Sequence, residues 1–198
     1  MVELQTTWSW LPAIYLFLGG LSAGAFLTVS ILHLVKPDRF KKTVTGGVWT
    51  AVAALAIGLL ALVSEVEKPF QAMILFKSFV NGSSWSAAPA IPLWNTWLLP
   101  ALFTVSALDT GVAAVSVFAA VLEKDEDAHG LRTALEWTVL CLVAIEAVVL
   151  AAFLTTMQGS GADEALASGL LVSGPLSMQF WALVVAVGLV GPFLAALV

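Results

Sequence analysis

The sequence predicts an all-α fold, a polytopic bundle of about five transmembrane helices forming a single transmembrane domain over residues 1–198. Three observations predict it. The chain is 60% hydrophobic and only 11% charged, with a mean hydropathy of +0.99, which excludes an ordinary soluble domain. Its apolar runs are long enough to cross a hydrocarbon core, for which about 20 helical residues suffice. Its charges gather mainly in the short segments between those runs.

The first run, Leu11–Val35, holds no Asp, Glu, Lys or Arg and ends at Lys36-Pro37-Asp38-Arg39. Trp8 and Trp10 stand at its mouth, where an amphipathic ring suits the headgroup layer. Glu3 is the only charge before it, so the basic region of a signal peptide is missing and the run reads as a retained helix. Inside it, Gly19, Gly20, Ser22, Ala23 and Gly24 make a groove that another helix or a flat ligand can enter. The second span is expected over 44–64. After Glu65-Val-Glu-Lys-Pro69, Phe70, Met73, Ile74 and Lys77 recur at helical spacing and predict an amphipathic interfacial helix over about 70–80. Residues 81–84 and 87–92 read as turn or extended chain. Spans three and four are expected over 94–122 and 131–157, either side of the charged loop Glu123–Asp127. Gly159–Gly161 breaks the chain before the fifth span, 177–198.

Orientation follows from the basic residues. Lys36, Arg39, Lys41, Lys42, Lys124 and Arg132 fall on one side, and only Lys68 and Lys77 on the other. This bias places the N-terminus outside and the C-terminus inside. A net charge of −5 argues against nucleic acid. With one cysteine, Cys141, the chain alone forms no disulfide and no cysteine-ligated cluster.

Few residues are candidates for chemistry. Asp109 and Glu146 lie well inside spans, where a charged acid costs about 2.5–3.5 kcal/mol on insertion scales and usually faces protein or water. They read either as a proton relay or ligand pair, or as protonated acids bonded to a neighbouring helix. Glu136, nearer a loop, reads as a solvated end. Glu65 and Lys68 form an acid–base pair beside Pro69, suited to a polar headgroup or to an ordinary loop ion pair. Tyr15, the only tyrosine, shares a helix face with Gly19 and Ser22. It suits a quinone carbonyl or an aromatic belt equally. The two histidines, His33 and His129, are poorly placed to hold a haem between helices. No phosphate loop, metal-ligand cluster or nucleophile–base pair is present, so no catalytic residue and no metal site is expected in this chain.

Four patches make the chain resemble the NrfD/PsrC family, the integral-membrane subunits of nitrite and polysulfide reductase complexes. Trp8–Leu27, with its Tyr-Leu-Phe-Leu-Gly-Gly-Leu-Ser-Ala-Gly core, resembles the family's first helix. Glu65-Val-Glu-Lys-Pro69 resembles its acid-Leu-Gly-basic-Pro turn, with Glu67 standing where the family has glycine. Pro92–Gly111 is similar to the fifth helix, and Glu146 and Phe180-Trp181 through Pro192 to parts of the sixth and seventh. The family has eight or more spans. The helix pair that the resemblance implies after Trp85, and the helix after Val198, have no counterpart here. The sequence is therefore expected to omit segments of a longer chain.

The resemblance implies a membrane anchor that exchanges electrons and protons between the quinone pool and a partner iron–sulfur subunit. Menaquinone or ubiquinone would bind near the outer ends of the early helices, making Tyr15, Gly19, Ser22, Glu65 and Lys68 candidates for its pocket. Asp109 and Glu146 would extend a proton path inward. A four-cluster ferredoxin-like subunit and a molybdopterin catalytic subunit are the implied partners, carrying the iron–sulfur clusters and molybdopterin; this chain would carry neither haem nor metal. The implied location is a prokaryotic plasma (inner) membrane. The rival readings are a proton- or cation-coupled transporter, disfavoured because no internal repeat is found, and a purely structural anchor.

Overall fold

The computed structural model describes residues 10–65, 96–123 and 126–196. The expected interfacial helix over 70–80 and Lys68 lie outside the described residues. Among the described residues five helices are long and apolar enough to cross a membrane: α1 (Leu11–Val35), α2 (Lys41–Glu65), α3 (Leu98–Leu122), α4 (Glu126–Ser160) and, after a shorter helix α5 (Ala162–Val172), α6 (Ser177–Ala195). The all-α expectation holds, with no strand among the described residues.

Each boundary has a local cause. Pro12 sits in the first turn of α1, where its missing N–H removes no helical bond. Lys36-Pro37 ends α1 where the charge-free run ends. The turn into α2 passes through Phe40, which holds the left-handed φ of 57° and whose carbonyl accepts the Val44 N–H at 2.9 Å. A bulky residue is costly in that conformation, and the Phe40 ring is set against the apolar core. α4 begins at Glu126, earlier than hydropathy indicates, because its first turns are polar helix outside the apolar stretch. α5 was not expected from the sequence. Gly161 precedes it, and Asp163 and Glu164 occupy its first turn, where acids complement the helix dipole.

α1 and α2 form an antiparallel hairpin, with Ser22 opposite Ala51 and Tyr15 opposite Gly58. α3 packs on the other side of α1 and also touches α2 and α4. Ala25, Val29, Ala51, Val112, Val115, Ala119, Leu135 and Val139 fill the core among these four helices. Large apolar side chains such as Phe26, Ile31, Leu60 and Val148 point outward. Such a surface suits contact with hydrocarbon and would be a liability in water.

Polar groups fasten the helix ends opposite the α1 N-terminus. The Glu123 carboxylate, just past α3, accepts the Thr43 N–H at 3.2 Å and its hydroxyl at 3.3 Å, capping the first turn of α2. Arg132 of α4 donates to the carbonyls of Ala119 at 3.3 Å, Ala120 at 2.8 Å and Glu123 at 2.5 Å, closing the C-terminus of α3. A guanidinium suits that end of the helix dipole. α6 is the most exposed span, tied to α5 by the Trp181 indole, which donates to the Val172 carbonyl at 3.0 Å. Over Phe180–Val190 it winds as a π-helix, longer than the single-turn bulges in which that winding mostly occurs.

Candidate functional site

Small residues bring α1 and α3 together. The helices run parallel, with Gly20 and Gly24 of α1 against Ala107 and Gly111 of α3. A Cβ on Gly24 would collide with the Ala107 carbonyl and lie 3.1 Å from Gly111 Cα, and a Cβ on Gly111 would collide with the Gly24–Ala25 backbone. Only glycine allows this approach. Within a membrane such packing carries much of the association, because lipid tails are as apolar as the helices.

From this crossing toward the N-terminal ends of both helices runs a cleft of about 350 Å³. Ala13, Phe17 and Gly20 line it from α1, and Phe103, Ser106 and Thr110 from α3. Its wall is apolar apart from the two hydroxyls. The Thr110 hydroxyl is occupied, donating to the Ser106 carbonyl at 2.8 Å. Ser106 is different: it faces the Glu146 carboxyl of α4. Asp109, one turn further along α3, interacts electrostatically with Glu146. It is only 4% exposed, and its Oδ1 has no hydrogen-bond partner. Buried polar atoms are rarely left so, and Asp109 is at the middle of a 25-residue span. Ser106, Asp109 and Glu146 thus join two acids from different helices to the wall of an open cleft.

Of the residues predicted as a headgroup site, Tyr15 and Ser22 lie on another face. Both point at α2, away from the cleft. The Tyr15 ring lies where a Cβ on Gly58 would meet it at 3.7 Å, and the Ser22 hydroxyl donates to the Ala51 carbonyl at 2.7 Å. Around Gly19 there is open space, with nothing within 4 Å of where a Cβ would stand. Glu65 is the last residue of α2. From the hairpin register it lies beyond Tyr15 toward the same end, by about 10 Å at 1.5 Å per residue. Glu136, read as a solvated end, is exposed. His33 and His129 are exposed as well, and among the described residues no three His, Cys, Asp or Glu are grouped to hold a metal ion.

The family model described as "Polysulphide reductase, NrfD" matches the chain in two stretches, residues 3–88 and 78–198. The chain belongs to the NrfD family. With five apolar helices among its described residues it is an integral membrane protein. The C subunit of the polysulfide reductase of Wolinella succinogenes is 32% identical over 77 residues, 36% of this chain, and the match spans 24% of that relative's length. No solved structure matches.

The two long patches of NrfD resemblance, Trp8–Leu27 and Pro92–Gly111, fall largely on α1 and α3, the helices that form the glycine crossing and the cleft. The Glu146 patch falls on α4, which packs against α3. The two matched stretches meet at 78–88, where Trp85 runs into Ser86-Ala-Ala-Pro89. Sequence reading singled out both Asp109 and Glu146 and missed Ser106. Its signal was the set Ser106, Asp109 and Thr110, three polar residues at i, i+3 and i+4 in an apolar helix.

Proposed function

We propose that this chain is the membrane-anchor subunit of a multi-subunit oxidoreductase, exchanging electrons and protons between the quinone pool and a partner iron–sulfur subunit. The observation that carries this reading is the buried Asp109 with the half-buried Ser106 and Glu146 inside the bundle beside an apolar cleft, in a chain of the NrfD family. Oxidation of a quinol releases two electrons and two protons, so a hydride-free mechanism in lipid needs groups that accept protons. Side-chain carboxyls inside the bundle meet that need.

In this reading the headgroup of menaquinone or ubiquinone binds at the outer end of the α1–α2 hairpin. Tyr15 and Lys68 supply donors, Glu65 takes a proton, and Gly19 leaves room for the ring. Ser22 holds the hairpin closed through its bond to Ala51. Asp109 and Glu146 pass protons inward. Electrons leave to the clusters of a four-cluster ferredoxin-like subunit, and from there reach a molybdopterin subunit. The printed name of the Wolinella relative, a polysulfide reductase subunit, fits such an assembly. The basic-residue bias supports an outside N-terminus and inside C-terminus in a prokaryotic plasma membrane.

Two activities of the assembled complex test the reading. A quinone-site inhibitor is expected to abolish quinol-driven turnover and spare turnover driven by a viologen, which reduces the partner subunits directly. A chain that only docks its partners would leave both activities untouched.

A further inference from the structure

The inner end of α2 carries a second opening that the quinone reading does not use. Lys42, Thr45, Gly46 and Trp49 follow one another at i, i+3, i+4 and i+7 on a single helix face. With Lys41 and with Leu122 of α3 they line a groove of about 460 Å³. Gly46 makes its floor low, since a Cβ there would come within 2.9 Å of the Phe118 ring. Trp49 is 69% exposed, about 10 Å along the helix from Lys42. The groove is therefore basic at its mouth, aromatic along its length and apolar at its α3 wall.

We infer that this groove binds an anionic phospholipid, its phosphate between Lys41 and Lys42 and an acyl chain along Trp49 and Leu122. Charge and depth identify the occupant. The basic mouth lies at the first turn of α2, where the span leaves the hydrocarbon, and the apolar wall continues into it. A soluble anion would satisfy the lysines and leave Trp49 uncovered. An acidic protein segment would have no use for the wall within the bilayer. Among the described residues the neighbouring acids leave the mouth basic. Asp38 forms an exposed ion pair with Lys41 at 3.4 Å, and the Glu123 carboxylate is turned to the buried Thr43 on the bundle side of α2. Lys42 stays on the groove side.

Native mass spectrometry of the full chain, with cardiolipin or phosphatidylglycerol against phosphatidylcholine, tests this. Retention of the anionic lipids is expected to exceed that of phosphatidylcholine. It should fall on the order of 20-fold in the K41Q/K42Q variant, about fivefold for each lysine removed near a membrane surface. Glycerol phosphate, the headgroup without chains, should not compete. In the unaltered chain, about 1 M salt, where the screening length is about 3 Å, should release the lipid; this arm needs no variant to fold. Equal retention of anionic and zwitterionic lipids, salt-insensitive binding, or full competition by glycerol phosphate would overturn the proposal. So would unchanged retention in a K41Q/K42Q protein whose helicity is intact, or displacement of the lipid by the partner subunits in the complex.

Discussion

Gly111→Leu is expected to wedge α1 away from α3, destabilising the fold and lowering the chain's capacity to assemble. The Cβ position of Gly111 already collides with the Gly24–Ala25 backbone, so no rotamer of the new side chain escapes and the helices must move apart. Overpacking a close-packed site costs about 3 kcal/mol at the upper end of the usual range. Here the loss extends to the van der Waals contacts that hold membrane helices together. Thermal unfolding in detergent is expected to show a fall in Tm of at least several degrees, with reduced recovery of the complex. Gly19→Ala is the control, because nothing lies within 4 Å of its Cβ position. An unchanged Tm for Gly111→Leu would mean that the helices do not cross there.

Glu146→Gln is expected to slow quinol-driven turnover by roughly 10²-fold, the lower end of what positioned proton transfer contributes, while the complex assembles and viologen-driven turnover is unchanged. Glutamine keeps the size of the side chain and can still accept from Ser106, so packing is preserved and the transferable proton is lost. Asp109→Asn should behave similarly, because the two acids interact. Ser106→Ala, which removes the donor facing Glu146, should have a smaller effect in the same direction. Equal quinol turnover in the Glu146→Gln and unaltered complexes would remove the proton path.

The spans were legible because each is an apolar run of bilayer length bounded by charge or by glycine and proline. Leu11–Val35 shows this most clearly: the charge-free run and the helix coincide. The start of α4 was less legible, since Glu126, His129 and Arg132 belong to a helix that continues outside the apolar stretch. α5 was hidden after Gly159–Gly161, which read as a break before the last span. The shared face of Tyr15 and Ser22 follows from spacing alone, whereas the helix opposite it does not. The Glu123–Thr43 cap joins residues 80 positions apart, and no local pattern announces it. The same holds for Ser106: a serine in a span usually bonds its own helix, and only the packing of α4 against α3 turns it toward Glu146.

A photoreactive quinone provides the most direct measurement of what this chain does. Irradiated with the assembled complex, it should label peptides of this chain around Leu11–Ser22 and Glu65–Pro69, and excess quinol should prevent the labelling. Label confined to the partner subunits, or label on this chain that excess quinol does not displace, would contradict a quinone site in the α1–α2 hairpin.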